Sequence, residues 1–540
     1  MAAEEDTASQ LRQTSRLRFE HLKGRLFEAG LVGATLLGIV SLLVLFGYIA
    51  FDAFRPLTAS VRWYLLYFGT LVTPTAAFTL YARRRPAVRA ANARAFAVIL
   101  GGLTVSCVSY VVAEALSPYD IFVYALFGGV PPILVALYGR TTDDNSYIGP
   151  AIPVSILVGF GVANLFYGTI RPLVDILARW ITYFGVVTVP VAVIMGVVVS
   201  RRWSRQRGLY AAGAVIVTSL LVAVGGIALG IDPSFWIVLS SALVLPTVYV
   251  VGETVATDPE GRIGVLGPFV VIGGIVVGAV LERQLGIEGL ESYVTPTLLL
   301  TSWNGLDAGQ AGVYPQIVGS IIIVGFMALL AFPVGVGAAV YLEEYAASTG
   351  WSGRLAALLE VNISNLAGVP SVVYGILGLA LFRNTLGFGT GVVISAAGTL
   401  GLLILPIVVV SAQEALRSVP DSLRQASYGM GASRWQTLRN VVLPEAVPGI
   451  LTGTILALAR AIGETAPLVI IAVATTKYSP PEGIFSSATA LPLQIFAARS
   501  NVSAAFRHGV VPATAVVLLT LMLVMNTAAI VIRNRYESDN

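Results

Sequence analysis

Residues 412–447 read AQEALRSVPDSLRQASYGMGASRWQTLRNVVLPEAV, a polar, arginine-bearing stretch set between long apolar runs. Pro420 suits the first turn of a helix, where its missing N–H has no partner to lose, and Asp421 adds a favourable charge at that end. Gly429 and Gly431 end or bend this helix. Ser433 caps a second short helix, on which Trp435, Leu438, Val441 and Val442 fall at helical spacing, and Pro444 is expected to stop it. Two short helices around a glycine hinge, joined to membrane-length helices, suit a surface that docks a moving partner. An ordinary amphipathic loop satisfies the same pattern.

Outward from this stretch, the rest of the chain is a sequence for lipid. Of its 540 residues, 56% are hydrophobic and 11% charged, with a mean hydropathy of +0.83. A soluble protein carries roughly 25% charged residues. Small residues let membrane helices pack closely, which accounts for 55 glycines. The net charge of +4 comes from arginine clusters between apolar runs, so no nucleic-acid partner is expected. Cys107 is the one cysteine, and His21 and His508 lie far apart. Disulfides, thiolate metal sites and any cofactor are therefore not expected in this chain.

At about 20 apolar residues per span, fourteen transmembrane helices are expected, making an all-α polytopic membrane protein. Eight fall near 28–50, 62–82, 95–113, 119–138, 150–168, 180–200, 209–229 and 234–251, and six near 263–281, 316–340, 363–383, 391–411, 449–474 and 509–532. Residues 1–27 form a polar arm with no cleavable leader expected. With both termini inside, inner segments collect Arg83, Arg84, Arg85, Arg89, Arg94, Arg140, Arg201, Arg202, Arg205, Arg207, Arg417, Arg424, Arg434 and Arg439. That asymmetry follows the positive-inside rule and places the chain in the plasma membrane with cytoplasmic termini.

The first half repeats itself. FRPLTASVRWYLLYFG (54–69) is echoed by IRPLVDILARWITYFG (170–185), and both copies run on to a proline, Pro74 and Pro190. This predicts two parallel four-span repeats. The polar segment 252–262 is then the expected cytoplasmic linker, between an eight-span domain (28–251) and a second domain (263–540).

Family resemblance narrows the reading. Residues 412–447 resemble the signature loop of ABC-importer permeases: Gln425, Ala426 and Ser427 stand at its EAA positions, Gly431 follows at the required spacing, and Leu443-Pro444 close it. Gln425 departs from the usual glutamate. YLEEYA (341–346), AGVPSVVYGILGLALF (367–382), residues 414–444, GILTGTILALARAIGETAPL (449–468) and NTAAIVIRNR (526–535) resemble the PstA-type permeases of phosphate importers. The resemblance covers about 260–540 and implies a six-helix permease fold for the C-terminal half. It also implies coupling helices that seat on an ABC ATPase subunit, which uses the ATP. A PstC-like sister permease and an extracytoplasmic phosphate-binding protein are the other expected partners.

Arg460 and Glu464 are expected within one span, four residues apart on one helix face. A charge at mid-membrane costs about 2.5–3.5 kcal/mol on insertion scales, so such a pair either ties helices together or lines a path. A guanidinium fork matches phosphate oxygens, and the resemblance likewise places Arg460 in the substrate pathway, with Glu464 tuning its hold and Arg383 as a further candidate. Glu343 and Glu344 end a span, where solvation accounts for them as well as an interface. With lysine only at positions 23 and 477, neither after glycine, the chain has no GxxxxGK[ST] loop, and no enzyme activity of its own is expected. The alternatives are a permease for sulfate or molybdate, or a secondary transporter or channel running through the first half.

Overall fold

The computed structural model describes residues 2–115, 117–138, 148–346 and 350–538. Among them the chain is helical, with two isolated β-bridges and no strand. Twelve helices are long and apolar enough to cross a membrane. They are α1 (Lys23–Phe54), α2 (Val61–Arg83), α3 (Pro86–Glu114), α4 (Pro118–Val135), α6 (Arg179–Arg202), α7 (Arg205–Ala228), α8 (Ser234–Thr257), α9 (Arg262–Leu285), α10 (Tyr314–Tyr345), α13 (Val393–Arg417), α15 (Arg434–Ile462) and α17 (Phe506–Val531). The helical backbone of α1 begins at Ala2, so the polar arm continues the first span.

Two of the fourteen expected spans differ. The run at 363–383 is a broken pair, α11 (Gly353–Ala367) and α12 (Ser371–Thr385), bent by 112°. Pro370 sits in the break; proline cannot donate to the helix and disfavours helical backbone at the residue before it. The expected fifth span is the helix α5 (Ile148–Leu165), which is not among the twelve and several of whose side chains lie outside the described residues, as does Arg140.

Proline bends other spans without ending them. Five-residue π turns at Phe68–Val72, Phe184–Thr188, Ser240–Val244, Leu438–Val442 and Phe506–Val510 each stand just before a Pro-containing helix start, at Pro74, Pro190, Pro246, Pro444 and Pro512. A proline ring crowds the carbonyl four residues back, and a wider turn relieves the clash while the helix carries on. Pro444 therefore does not stop the second short helix. That helix and the following span are one continuous element, α15.

Packing divides the molecule into two groups of helices. In one, α10, α13 and α15 bury Val324, Met327, Leu400, Ile404 and Ala457 in a common core. Gly335 lets α10 meet Val408, and Gly378 lets α12 meet Thr399, the close approach that small residues permit. In the other, α4 pairs with α5 and α6 with α7 as hairpins, while α2 packs on α9 and α3 on α8. The helix-end charges at one side of this group are paired locally: Glu114 accepts from Arg179 and Tyr183, and Asp120 pairs with Arg171 and accepts from Tyr167 at 2.7 Å. The two groups meet where Val111 of α3 joins the core around α10.

Candidate functional site

The segment between α13 and α15 is built as a rigid bracket. A short helix, α14 (Asp421–Gly429), starts after Pro420 and ends into Met430. Gly431 turns the chain at φ 84°, a left-handed conformation that costs side-chain-bearing residues roughly 1–2 kcal/mol. Ser433 then caps α15 as the sequence predicts: its Oγ accepts from Gln436 N at 3.3 Å, and Gln436 Oε1 accepts from Ser433 N at 2.8 Å. This reciprocal capping box fixes the entry angle of the helix.

The expected signature residues split between two faces. Ser427 is buried, its Oγ 2.8 Å from Thr437 Oγ1, so the short helix and the start of α15 are bonded to each other. Gln425 and Ala426 are exposed. Leu438 and Val442 are buried with Val419 and Ala446 in a core beneath the bracket, against which Leu443 also packs. Trp435 does not join them; it is 57% exposed and, with Met430 at 83%, Tyr428 and Leu423, forms an apolar outer surface. Arg434 and Arg439 stand exposed beside it. Large apolar side chains exposed together on a polar segment make a candidate docking surface.

Charge pairing ties the bracket to the membrane core, and here the two glutamates left open between solvation and an interface find partners. Glu344 does not face solvent: it is paired with Arg424 of α14, the two side chains being 12% and 18% exposed. Arg424 also donates to the Leu416 carbonyl at 2.8 Å. Glu343 pairs with Arg417 at 2.6 Å and accepts from Gln413 at 3.0 Å, and Arg417 reaches Glu360 of α11 at 2.5 Å. Both glutamates lie in the π turn Tyr341–Tyr345 that ends α10. Adjacent acidic residues at the end of a span, facing an arginine-bearing loop, were the available signal.

Arg460 and Glu464 are brought together, but not on one helix face within a span. α15 ends at Ile462 with Gly463 as its cap, and the short helix Ala466–Ile470, with Pro467 in its first turn, begins after the break. Arg460 is in the last turn, half exposed, and its Nε lies 3.5 Å from Glu464 Oε1 just past the helix end. Glu464 is 18% exposed. Gly375 of α12 lets Pro467 and Ile470 approach, so the break is held against α12. Arg383 is exposed in the π turn at the other end of α12 and shares no described bond with the pair.

Comparison with known proteins bears on this geometry. The family model described as a binding-protein-dependent transport system inner membrane component matches residues 331–538. A phosphate transport system permease protein, PstA 1 of Mycobacterium tuberculosis, is 38% identical over 223 residues, covering 41% of this chain and 70% of that protein. A probable ABC transporter permease protein of Bacillus subtilis, YqgI, is 33% identical over 270 residues, 48% of this chain and 89% of its own. The phosphate transport system permease protein PstC of Haemophilus influenzae is 26% identical over 41% of this chain and 75% of its own.

Proposed function

We propose a function from this premise: the chain belongs to the binding-protein-dependent transport system inner membrane components, and among them to the PstA-type permeases. It is the membrane permease subunit of an ATP-driven importer, and the ion it carries is inorganic phosphate. The observation that carries the reading is the bracket at 418–444. Its apolar outer surface, with Leu423, Tyr428, Met430 and Trp435, is what an ATPase subunit seats on, and its buried pairs pass the movement to α10 and α13. A sister permease of PstC type completes the translocation path, and an extracytoplasmic binding protein delivers phosphate to it. Hydrolysis belongs to the ATPase subunit. Arg460, Glu464 and Arg383 serve the pathway in this reading.

The topology follows from charge and packing. In this reading the side that carries Arg201, Arg202, Arg417, Arg434 and Arg439 together with the bracket is the cytoplasmic one, as the positive-inside rule favours. α1 and α17 run antiparallel, with Asp52 and His508 3.7 Å apart at the other side, which supports cytoplasmic termini in the same reading.

Cells lacking this chain and its native phosphate importer should regain uptake of labelled phosphate, but not of labelled sulfate, when the full chain is restored with its partners. Uptake should stop when ATP is depleted. Sulfate-selective rescue would move the assignment to another oxyanion, and uptake that survives ATP depletion would remove it from ATP-driven importers. A finer test is Gly431→Ala. The left-handed turn then carries a strain of about 1–2 kcal/mol, and co-purification of the ATPase subunit should fall by roughly tenfold while the chain still inserts. Unchanged co-purification would show that the bracket does not set the docking geometry.

A further inference from the structure

We propose that the permease unit of this chain is discontinuous in sequence: α1 is its first span, residues 291–538 supply the rest, and residues 56–290 are a membrane module inserted between them. This rests on the permease reading for what the unit is called. The packing argument does not depend on it.

The first observation is where α1 docks. Ala53 is fully buried among Leu298, Trp303, Phe506, Val510 and Val517, and α1 lies along α17. Both partners are C-terminal. The second is where α9 docks. Gly274 lets α9 meet the Thr70 carbonyl and Leu71, Gly278 lets it meet Tyr67, and Gly264 lets its start meet the Val88 carbonyl of α3. Tyr67 donates to Glu282 at 2.9 Å. α9 would be the natural first span of a unit beginning at 263, yet its packing is with α2 and α3.

The third observation is that the chain is stitched together where it leaves for the proposed insert and where it returns from it. Ser60 N donates to the Glu288 carbonyl at 3.2 Å, and Glu291 N to Thr58 Oγ1 at 3.0 Å. Tyr293 N donates to the Ala53 carbonyl at 3.0 Å, with Arg55 3.6 Å from Glu291. A segment that leaves and re-enters a fold at one point is what domain insertion requires.

The repeat supplies the fourth. Pro74, Pro132, Pro190 and Pro246 recur at intervals of 58, 58 and 56 residues, each in the first helix of a pair. The unit is therefore a pair of consecutive antiparallel helices used four times, of which the 116-residue duplication is two periods. By this count α9 is the second helix of the fourth pair. Four pairs bring the chain back to the side it left, so α10 starts where α1 ended. An open cleft of about 1220 Å³ runs along the seam, between Tyr124, Pro132 and Phe160 of the module and Phe326 and Phe485 of the permease.

The test uses the full chain in native membranes, with Cys107→Ser and a protease site placed in the turn at 258–261. One variant adds Asp52→Cys and His508→Cys, another Tyr67→Cys and Glu282→Cys, and each is treated with a short reducible bis-methanethiosulfonate reagent before cleavage. Both should migrate at full length after cleavage and fall to two fragments on reduction. Loss of the Asp52–His508 link while Tyr67–Glu282 forms would remove α1 from the permease. Loss of the Tyr67–Glu282 link would return α9 to the C-terminal unit, and loss of both would overturn the insertion outright. Uptake is not read, so failure of the phosphate assignment and failure of this one are separable.

Discussion

Arg424→Ala is expected to cut phosphate uptake at least tenfold while the assembled transporter continues to hydrolyse ATP. α14 touches the membrane core through few groups, and Arg424 supplies two of those ties, to Glu344 and to the Leu416 carbonyl. Breaking a fully buried pair costs about 3–5 kcal/mol because the remaining charge is stranded. These side chains keep 18% and 12% exposure, so a loss of order 2 kcal/mol is the fitting figure, enough for more than a tenfold shift in how often the bracket stays seated. Glu344→Ala should act in the same direction, and the exchange Arg424→Glu with Glu344→Arg should recover part of the uptake. Arg417, at 56% exposure, lies nearer the solvent-screened limit, and its alanine variant should lose less. Uptake that stays coupled in Arg424→Ala would show that movement reaches the core by another route, through the Ser427–Thr437 bond or the α15 helix itself.

The ion pairs behind that prediction mark where sequence reading reached its limit. Hydropathy located the spans because burying about 20 apolar residues in lipid leaves a long, uniform signal. The glycine hinge and the Ser433 cap were legible because each rests on a local backbone need, a positive φ or an unpaired N–H. Pro444 was read as a stop and is not one, since a π turn formed by the residues before it absorbs the proline. Glu344 could be read equally as a solvated span end or an interface residue because its partner lies 80 residues on, and no periodicity links the two. The places of α1 and α9 were hidden for a related reason. One lipid-facing span reads much like another, and what sorts them is which small residues meet across a helix pair, as Gly274 meets Leu71.

Arg460→Ala is expected to bring phosphate uptake to background, a loss of at least a hundredfold, with assembly intact. Two charge-assisted hydrogen bonds from a guanidinium fork are each worth about 1.5–3 kcal/mol, which covers that loss. Assembly should survive because the side chain is half exposed and its one described partner is loose, at 3.5 Å. The end of α15 at Ile462 gives this arginine a different setting from mid-helix. A helix C-terminus carries partial negative charge, which favours Arg460 itself and opposes a bound anion. Glu464 opposes it too. An anion drawn to Arg460 at such a place is held briefly, which suits passage better than storage. Arg460→Lys keeps the charge but loses the planar fork, so it should retain a fraction of the rate with a raised KM. Glu464→Gln should do the reverse, lowering KM and slowing turnover as release becomes harder. Normal uptake by Arg460→Ala would make the pair a structural tie at the end of α15. A fall in KM with unchanged turnover in Glu464→Gln would leave Arg460 in the path but take away the role of Glu464 in release.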